Sequence, residues 1–366
     1  MIATRNLRRA RILIVGCGDV GLRCVAQLRE RPDRARVFAL VRRSERAEAV
    51  RAAGAVPLRG DLDSRRSLAR LAGVASTVLH LAPPQKTGAD DLRTRRLIAA
   101  LTARRRAASR PVLARGLAFR TSRTLRPAFG ESTGFGSSVI VPERTRRASR
   151  SQRRRLKRLT LVYASTTGVY GDCGGARIDE TRPVQPANAR AIRRVSAERQ
   201  LRRATARGAL GATIARIPGI YAANRLPLAR LAKRTPALVA RDDVYTSHIH
   251  ADDLAAILLR LATHGRAGRA IHASDDSELK MGEYFDRVAD AFGLARPPRL
   301  SRAEAERELE PVLLSFMRES RRLANTRLKR ELRVRLRYPD VDAFLRTLPP
   351  HPGLRAGGVA QSVPFT

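Results

Sequence analysis

From residue 12 onward, apolar positions come in short uninterrupted runs separated by stretches with helical spacing. Arg11 to Val15 reads as a strand buried on both faces, because its apolar residues do not alternate with polar ones. A helix follows with Val20, Gly21, Val25 and Leu28 on one face, stopped at Pro32. Val37 to Val41 is a second strand. Ser44 is placed to cap a helix running to Gly54, with Ala47 and Val50 pointing inward. Val56 to Leu58 gives a third strand, and Ser64 is read as the cap of a short helix carrying Leu68 and Leu71. Thr77 to Leu81 is a fourth strand, followed by a helix through Leu92, Leu97, Ile98 and Leu101. Leu159 to Ala164 is a fifth strand. Later, Thr213 to Ile217 and Thr246 to Ile249 read as strands. Asp252 is read as the cap of a helix bearing Leu254, Ile257, Leu258 and Leu261, and Ala270 to Ala273 is strand-like. A helix over 280–292 turns Phe285, Val288 and Phe292 inward and stops at Gly293. Strands alternating with helices predict an α/β fold built on a parallel sheet.

The rhythm breaks once. Connections in such units take about 2–6 residues, yet residues 104–158 separate the fourth helix from the fifth strand. This segment is rich in Arg, Ser, Thr and Gly, shows no sustained period, and holds 17 basic and 2 acidic side chains. It buries too little apolar surface to offset its ordering entropy. The expectation is a disordered basic insertion that leaves the sheet intact. The whole chain has a net charge of +40, with 73 basic residues of which only five are Lys. An arginine-only surface points to composition bias spread over solvent, not to a dedicated phosphate surface, which commonly uses both cations. Nucleic acid is therefore expected at most as a salt-sensitive, non-specific contact through 104–158, where only Phe119, Phe129 and Phe135 offer stacking. Cys17, Cys24 and Cys173 have no metal-ligand spacing and read as reduced thiols. With no apolar run long enough for a bilayer and no signal-peptide core after the basic start, the expected setting is the cytoplasm, without membrane contact.

The sharpest chemical signal is Gly16-Cys17-Gly18-Asp19-Val20-Gly21, a GxGxxG pattern between a strand and a helix. Gly16 permits a tight turn, Gly18 lets a pyrophosphate approach the backbone, and Gly21 lets helix pack on strand. Phosphates then sit at the positive end of the helix, within the run that includes Asp19 and Val20. This context predicts a Rossmann-type, doubly wound sheet. After the second strand, where a carboxylate would hold the ribose hydroxyls of NAD, the chain has Arg42 and Arg43. A guanidinium pair suits a 2′-phosphate, so NADP is the expected cofactor, with NAD the alternative. The expected organisation is a dinucleotide-binding domain over 1–221, interrupted by 104–158, then a smaller α/β substrate region over 222–350, partly interleaved with the first. A disordered tail over 351–366 completes it.

Further blocks carry a family likeness. Gly60-Asp61-Leu62 follows the third strand and His80-Leu81-Ala82 ends the fourth. Ser165 to Gly171, Asp179-Glu180-Thr181 with Pro183 and Pro186, Arg216 to Tyr221, and His248 to Ala255 follow in order. Together they resemble the extended, epimerase/dehydratase-like branch of the short-chain dehydrogenase/reductase superfamily over residues 10–350, the insertion apart. The resemblance implies that Asp61 and Leu62 flank the adenine, Leu81 and Ala82 the cofactor ribose, and Pro218 the nicotinamide. It puts Thr166 at the catalytic Ser/Thr position. It also implies a small, nucleotide-linked substrate and a homodimer. One departure is serious. Counting back from Glu198, Arg194 stands where the family has its Lys and Arg190 where it has its Tyr. Arginine stays protonated and cannot serve as a general base. Tyr170 and Tyr221 read as packing residues. His248 and His250 share a strand face, but the family carries this block without metal and none is expected. Two functions compete: an NADP-dependent oxidoreductase or epimerase-like enzyme, and a non-catalytic sensor of the NADPH/NADP ratio.

Overall fold

The computed structural model describes residues 9–32, 35–108 and 159–349. In chain order the first part contains β1 (Arg11–Val15), α1 (Asp19–Arg29), β2 (Arg36–Val41), α2 (Glu45–Ala52), β3 (Val56–Arg59), β4 (Thr77–His80) and α3 (Leu92–Ala108). The middle contains β5 (Thr160–Thr166), β6 (Arg177–Ile178), α4 (Ala189–Ala206), β7 (Gly211–Ile217), β8 (Gly219–Tyr221), α5 (Leu228–Ala232), β9 (Ala237–Leu238), β10 (Tyr245–Thr246) and β11 (His248–His250). Then come α6 (Ala251–His264), β12 (Ala270–His272), β13 (Leu279–Lys280), α7 (Met281–Ala291), β14 (Arg299–Leu300), α8 (Arg302–Glu308), α9 (Pro311–Phe316), β15 (Arg322–Leu323), α10 (Thr326–Leu332) and α11 (Val341–Leu345).

Seven strands form one parallel sheet in the order β12-β7-β5-β4-β1-β2-β3. The order reverses at β1, so the doubly wound topology expected from the sequence is present. β1 lies between β2 and β4, with Ile12 facing Val37 on one side and Thr77 on the other. That position explains its unbroken apolar run: Ile12 and Ile14 enter the core beneath α1 and α6, while Leu13 and Val15 enter the core beneath α3 and α4. A third, smaller core gathers Tyr221, Leu231, Tyr284, Phe285 and Phe344 from the later elements. Among the described residues no helix is long and apolar enough to cross a membrane.

Several local expectations are corrected. Ser44 has helical dihedrals and its side chain makes no cap bond, because a cap residue needs extended backbone to reach the helix amides. Ser64 is not a cap either. A 3-10 turn over Arg66–Leu71 follows, and the loop is closed by Ser67, whose hydroxyl accepts from Asp61 N at 2.9 Å. Asp252 lies inside α6, and the cap is His250, whose Nδ1 accepts from Asp252 N at 3.2 Å. The strand expected over 246–249 is two pieces: Tyr245–Thr246 runs antiparallel to β13, and His248–His250 runs parallel to β8. Residues 104–108, assigned to the insertion, belong to α3. The rest of the insertion and the tail from 351 lie outside the described residues.

A buried ionic network locks the middle of the sheet. Glu198 on α4 pairs with Arg216 on β7 at 2.8 Å, each side chain 4% exposed. The Ser165 hydroxyl donates to Glu198 Oε1 at 2.6 Å, and Arg216 Nη1 donates to the Tyr170 hydroxyl at 2.6 Å. His272 on β12 directs Nδ1 at the Ala324 carbonyl, so its Nε2 accepts from Tyr170 at 2.6 Å. Removing one member of a buried pair strands the other charge. Glu198→Ala is therefore expected to lower unfolding free energy by about 3–5 kcal/mol, read from urea unfolding curves; a loss below about 1 kcal/mol would contradict the assignment.

Candidate functional site

The glycine turn joins β1 to α1. Gly16 has φ +89°, and a Cβ there would sit 2.4 Å from the Ala82 amide nitrogen and 2.9 Å from the Leu81 carbonyl carbon. No side chain fits. Leu81 N and Ala82 N both donate to the Val15 carbonyl, at 2.7 and 2.9 Å, which presses the end of β4 onto the turn. A Cβ at Gly18 would meet nothing within 4 Å, so the backbone is open on that side. At Gly21 a Cβ would touch Cys17 Sγ at 3.3 Å and Ile14 at 3.4 Å, the close approach of helix to strand. Helix α1 starts at Gly18 without a side-chain cap, leaving its first amides for other acceptors.

Around this turn stand the other residues singled out from the sequence. Val20 packs against the core beneath α1. Asp19 turns its carboxylate to Arg225 at 2.8 Å and Arg23 at 3.2 Å, and these partners hold its pKa below the ordinary value against the opposing effect of burial. Arg23 also takes Asp252 at 2.5 Å. Arg42 and Arg43 are exposed just past the end of β2. Arg46, not anticipated from the sequence, lies close enough to Cys17 to pull its thiol pKa down, although burial dominates and takes it to about 11. Asp61 follows β3, its Oδ1 accepting from Asp63 N at 2.9 Å, and Leu62 is buried.

Thr166 and Pro218 meet in a second space. Where β5, β7 and the later elements converge, a cleft of about 570 Å³ opens, walled by Thr166, Gly168, Pro218, Tyr284 and Phe285 among others. Arg190 and Arg194 both line it. Arg194 donates to the Ala164 carbonyl at 2.6 Å and to the Tyr163 hydroxyl at 3.1 Å. Arg225, Arg230 and Arg321 line it too, while Glu319 is the one carboxylate among its described lining residues. Arg230 lies over the Phe285 ring at 4.4 Å and donates to the Pro236 carbonyl at 2.8 Å. It has no carboxylate partner among the described residues, its Nε is buried without an acceptor, and burial alone pulls its pKa below the usual arginine value. The Thr166 Oγ1 accepts from Gly168 N at 3.3 Å.

His248 forms part of the wall, stacked on Tyr284 with ring centroids 4.4 Å apart, its Nδ1 buried without a partner. Burial depresses its pKa to about 4, and that of His250 likewise to about 4. Both rings are thus neutral at pH 7. Tyr170 and Tyr221 are buried.

Comparison with known proteins fits this architecture. The model of the NAD dependent epimerase/dehydratase family matches residues 139–273. The likeness to that family is carried by residues 139–273, less than half of the chain. A functionally unknown conserved protein from Silicibacter pomeroyi DSS is similar at TM-score 0.65 and 26% identity, over 92% of this chain and 96% of that one. The UDP-glucose 4-epimerase of Thermotoga maritima, solved with UDP-glucose, is similar at TM-score 0.63 and 14% identity, over 92% and 96%. The dTDP-glucose 4,6-dehydratase of Bacillus anthracis, solved with NAD, is similar at TM-score 0.64 and 12% identity, over 92% and 94%. No curated protein matches the sequence.

The fold thus brings the glycine turn together with Leu81 and Ala82, and Thr166 together with Pro218, Arg190 and Arg194. Arg230 and Glu319 carried no signal along the chain, since they stand in or beside short elements without a usable period, whereas His248 stood in a recognisable block. Behind His248, burial raises the Asp275 carboxyl to about 7, opposed by the Ser277 backbone N–H. Asp275 N donates to the His248 carbonyl at 2.8 Å, which ties this acid to the cleft wall. The folded chain holds the Asp275 proton more tightly than the unfolded one. Its favourable effect is therefore complete below about pH 4 and is lost as pH rises through about 7. Asp275→Asn is expected to raise Tm above neutral pH, leave it unchanged in acid, and flatten the slope between; a Tm–pH curve parallel to the wild type would refute this.

Proposed function

We propose that this chain binds NADP at the Gly16–Gly21 turn and acts on a small, nucleotide-linked substrate in the arginine-lined cleft, as an oxidoreductase or epimerase-like enzyme without the Tyr/Lys pair. The observation that carries the reading is Arg230: a half-buried guanidinium whose Nε is buried without an acceptor and which has no carboxylate partner among the described residues. An unpaired buried charge is costly, and the diphosphate of a nucleotide-linked molecule would supply the missing anion with bidentate acceptors. Arg225 and Arg321 line the same cleft.

The residues present fit a dinucleotide. Gly18 is open to solvent, the first amides of α1 have no side-chain cap, and Gly16 brings Leu81 and Ala82 against the turn. The diphosphate would sit at these amides, with Asp61 and Leu62 beside the adenine and Pro218 beside the nicotinamide. Arg42 and Arg43, joined by Arg46, would take the 2′-phosphate. When bound, the cofactor supplies a reversible hydride acceptor. Thr166 would hold the reacting oxygen of the substrate, and the apolar faces of Tyr284 and Phe285 would keep water from it.

The competing reading, a sensor that binds NADPH without turnover, is supported by Arg194. Its guanidinium is committed to the Ala164 carbonyl and the Tyr163 hydroxyl, a packing arrangement as much as a catalytic one. The cleft weighs against that reading, because a sensor of the cofactor alone has no need of a second cationic space.

Two measurements test the proposal. By calorimetry, NADP is expected to bind about tenfold more tightly than NAD, a preference erased in the Arg42→Ala, Arg43→Ala double variant. Equal affinity of the wild type for both would overturn the NADP assignment. Arg230→Gln is expected to weaken UDP-glucose binding by about tenfold or more without altering NADP affinity. Wild-type protein that ignores UDP-glucose and UDP would defeat the nucleotide-linked reading.

A further inference from the structure

The substitution of arginine at 190 and 194 leaves the cleft without the expected proton carrier, and the remaining wall narrows the choice. Thr166, Thr167, Thr246, Ser247 and Ser315 are aliphatic hydroxyls of high pKa, the Tyr284 phenol is pushed up by burial, and the Tyr245 ring is packed against the Arg322 guanidinium at 4.8 Å and Lys280 Nζ at 5.6 Å. His248 is stacked on Tyr284 with its Nδ1 buried, and burial keeps the ring neutral. Glu319 is different in kind. It arrives from the segment between α9 and β15 and meets Thr166 across Gly168. The position of a Cβ on Gly168 would lie 3.7 Å from Thr166 Oγ1 and 3.8 Å from Glu319 Oε2. The carboxylate and the threonine hydroxyl therefore flank one small space.

The carboxylate is held in place. Asn188 Nδ2 donates to Oε1 at 3.1 Å and Arg321 Nη1 donates to Oε2 at 2.9 Å, with both ionic side chains under 15% exposed. Asn188 is itself fixed, since its Oδ1 caps α4 through Ala191 N at 2.9 Å. The next residue pins the loop: Ser320 N donates to Asp172 Oδ1 at 2.7 Å, its carbonyl accepts from Cys173 N and Gly175 N, and its hydroxyl accepts from Tyr245 N at 3.0 Å. A carboxylate held by two side chains on a pinned loop at the edge of a cleft is preorganised in the way a proton-transfer group requires.

We propose that Glu319 is the catalytic proton carrier of this cleft, accepting through Oε2 the proton of a substrate hydroxyl that also bonds to Thr166. This rests on the proposed function above. The O–H bond of a secondary alcohol breaks, the proton goes to Glu319, and the electron pair stays to form the carbonyl. The carbinol hydrogen leaves with its electron pair to the oxidised nicotinamide dinucleotide, so charge and electrons balance. In the reverse direction the protonated Glu319 returns its proton to the alkoxide.

The first test needs no cofactor. Full-length protein carrying 13C-labelled glutamate carboxyls is titrated by NMR with UDP-glucose and with UDP. One carboxyl resonance, absent from Glu319→Gln, is expected to move with UDP-glucose and stay with UDP. In the NADP-loaded protein, Glu319→Gln is expected to lower turnover by about 100-fold or more while keeping UDP affinity within about twofold. Added formate should restore about tenfold of the activity lost in Glu319→Ala. An unmoved resonance, full turnover in Glu319→Gln, or a wild type that binds UDP-glucose and NADP without turning over would each overturn the role of Glu319. Failure of the wild type to bind UDP-glucose and UDP at all is a different result, and it overturns the nucleotide-linked reading itself.

Discussion

The contact between Gly16 and the backbone at Leu81 and Ala82 is the constraint on which the site depends. With a Cβ at 2.4 Å from the Ala82 nitrogen, no other residue fits, and the positive φ adds a second reason for glycine. The two strands that meet there are hydrogen-bonded neighbours in the sheet centre, fixed in register by buried Ile12, Leu13, Ile14 and Val15. The sheet core therefore sets the angle at which α1 leaves the turn, and that angle leaves Gly18 and the first helix amides open. The openness of Gly18 and of the first helix amides is a consequence of how tightly two backbones approach.

The central layer was legible in the sequence because its strands are buried on both faces. A strand such as Arg11–Val15 writes its position as an unbroken apolar run, and the glycine pattern beside it has a mechanical reason at Gly16 and Gly21. Caps were less legible. Ser44, Ser64 and Asp252 are all good capping residue types, yet dihedral angles decide whether a side chain reaches the helix amides, and neighbours one or two residues away set those angles. His250 capped α6 although histidine is not a usual cap, since its ring was already held among Tyr221, Tyr338 and Phe344.

The cleft was only half legible. Thr166 and Pro218 sit in recognisable blocks at the ends of β5 and β7. The residues opposite them stand in or beside helices and strands of two to seven residues, too short to show a period. Arg230 in particular is one arginine among 68. What distinguishes it is the lack of a counter-ion in a buried place, a property of three-dimensional arrangement that composition conceals. The same holds for Arg194, whose packing on Tyr163 shows how a cation is accommodated where the family likeness implies a lysine.

The route of the chain has a mechanical outcome. After Ile217 the backbone leaves the main sheet, builds β8, α5 and the short strands β9 to β11, and then returns to lay α6 against α1 and β12 against β7. A polypeptide severed at that exit would keep the glycine turn but lose the cover over Val25 and Leu28 and the edge strand bearing His272. What remained would be a sheet with an uncapped oily flank. The two regions are thus woven, not joined end to end.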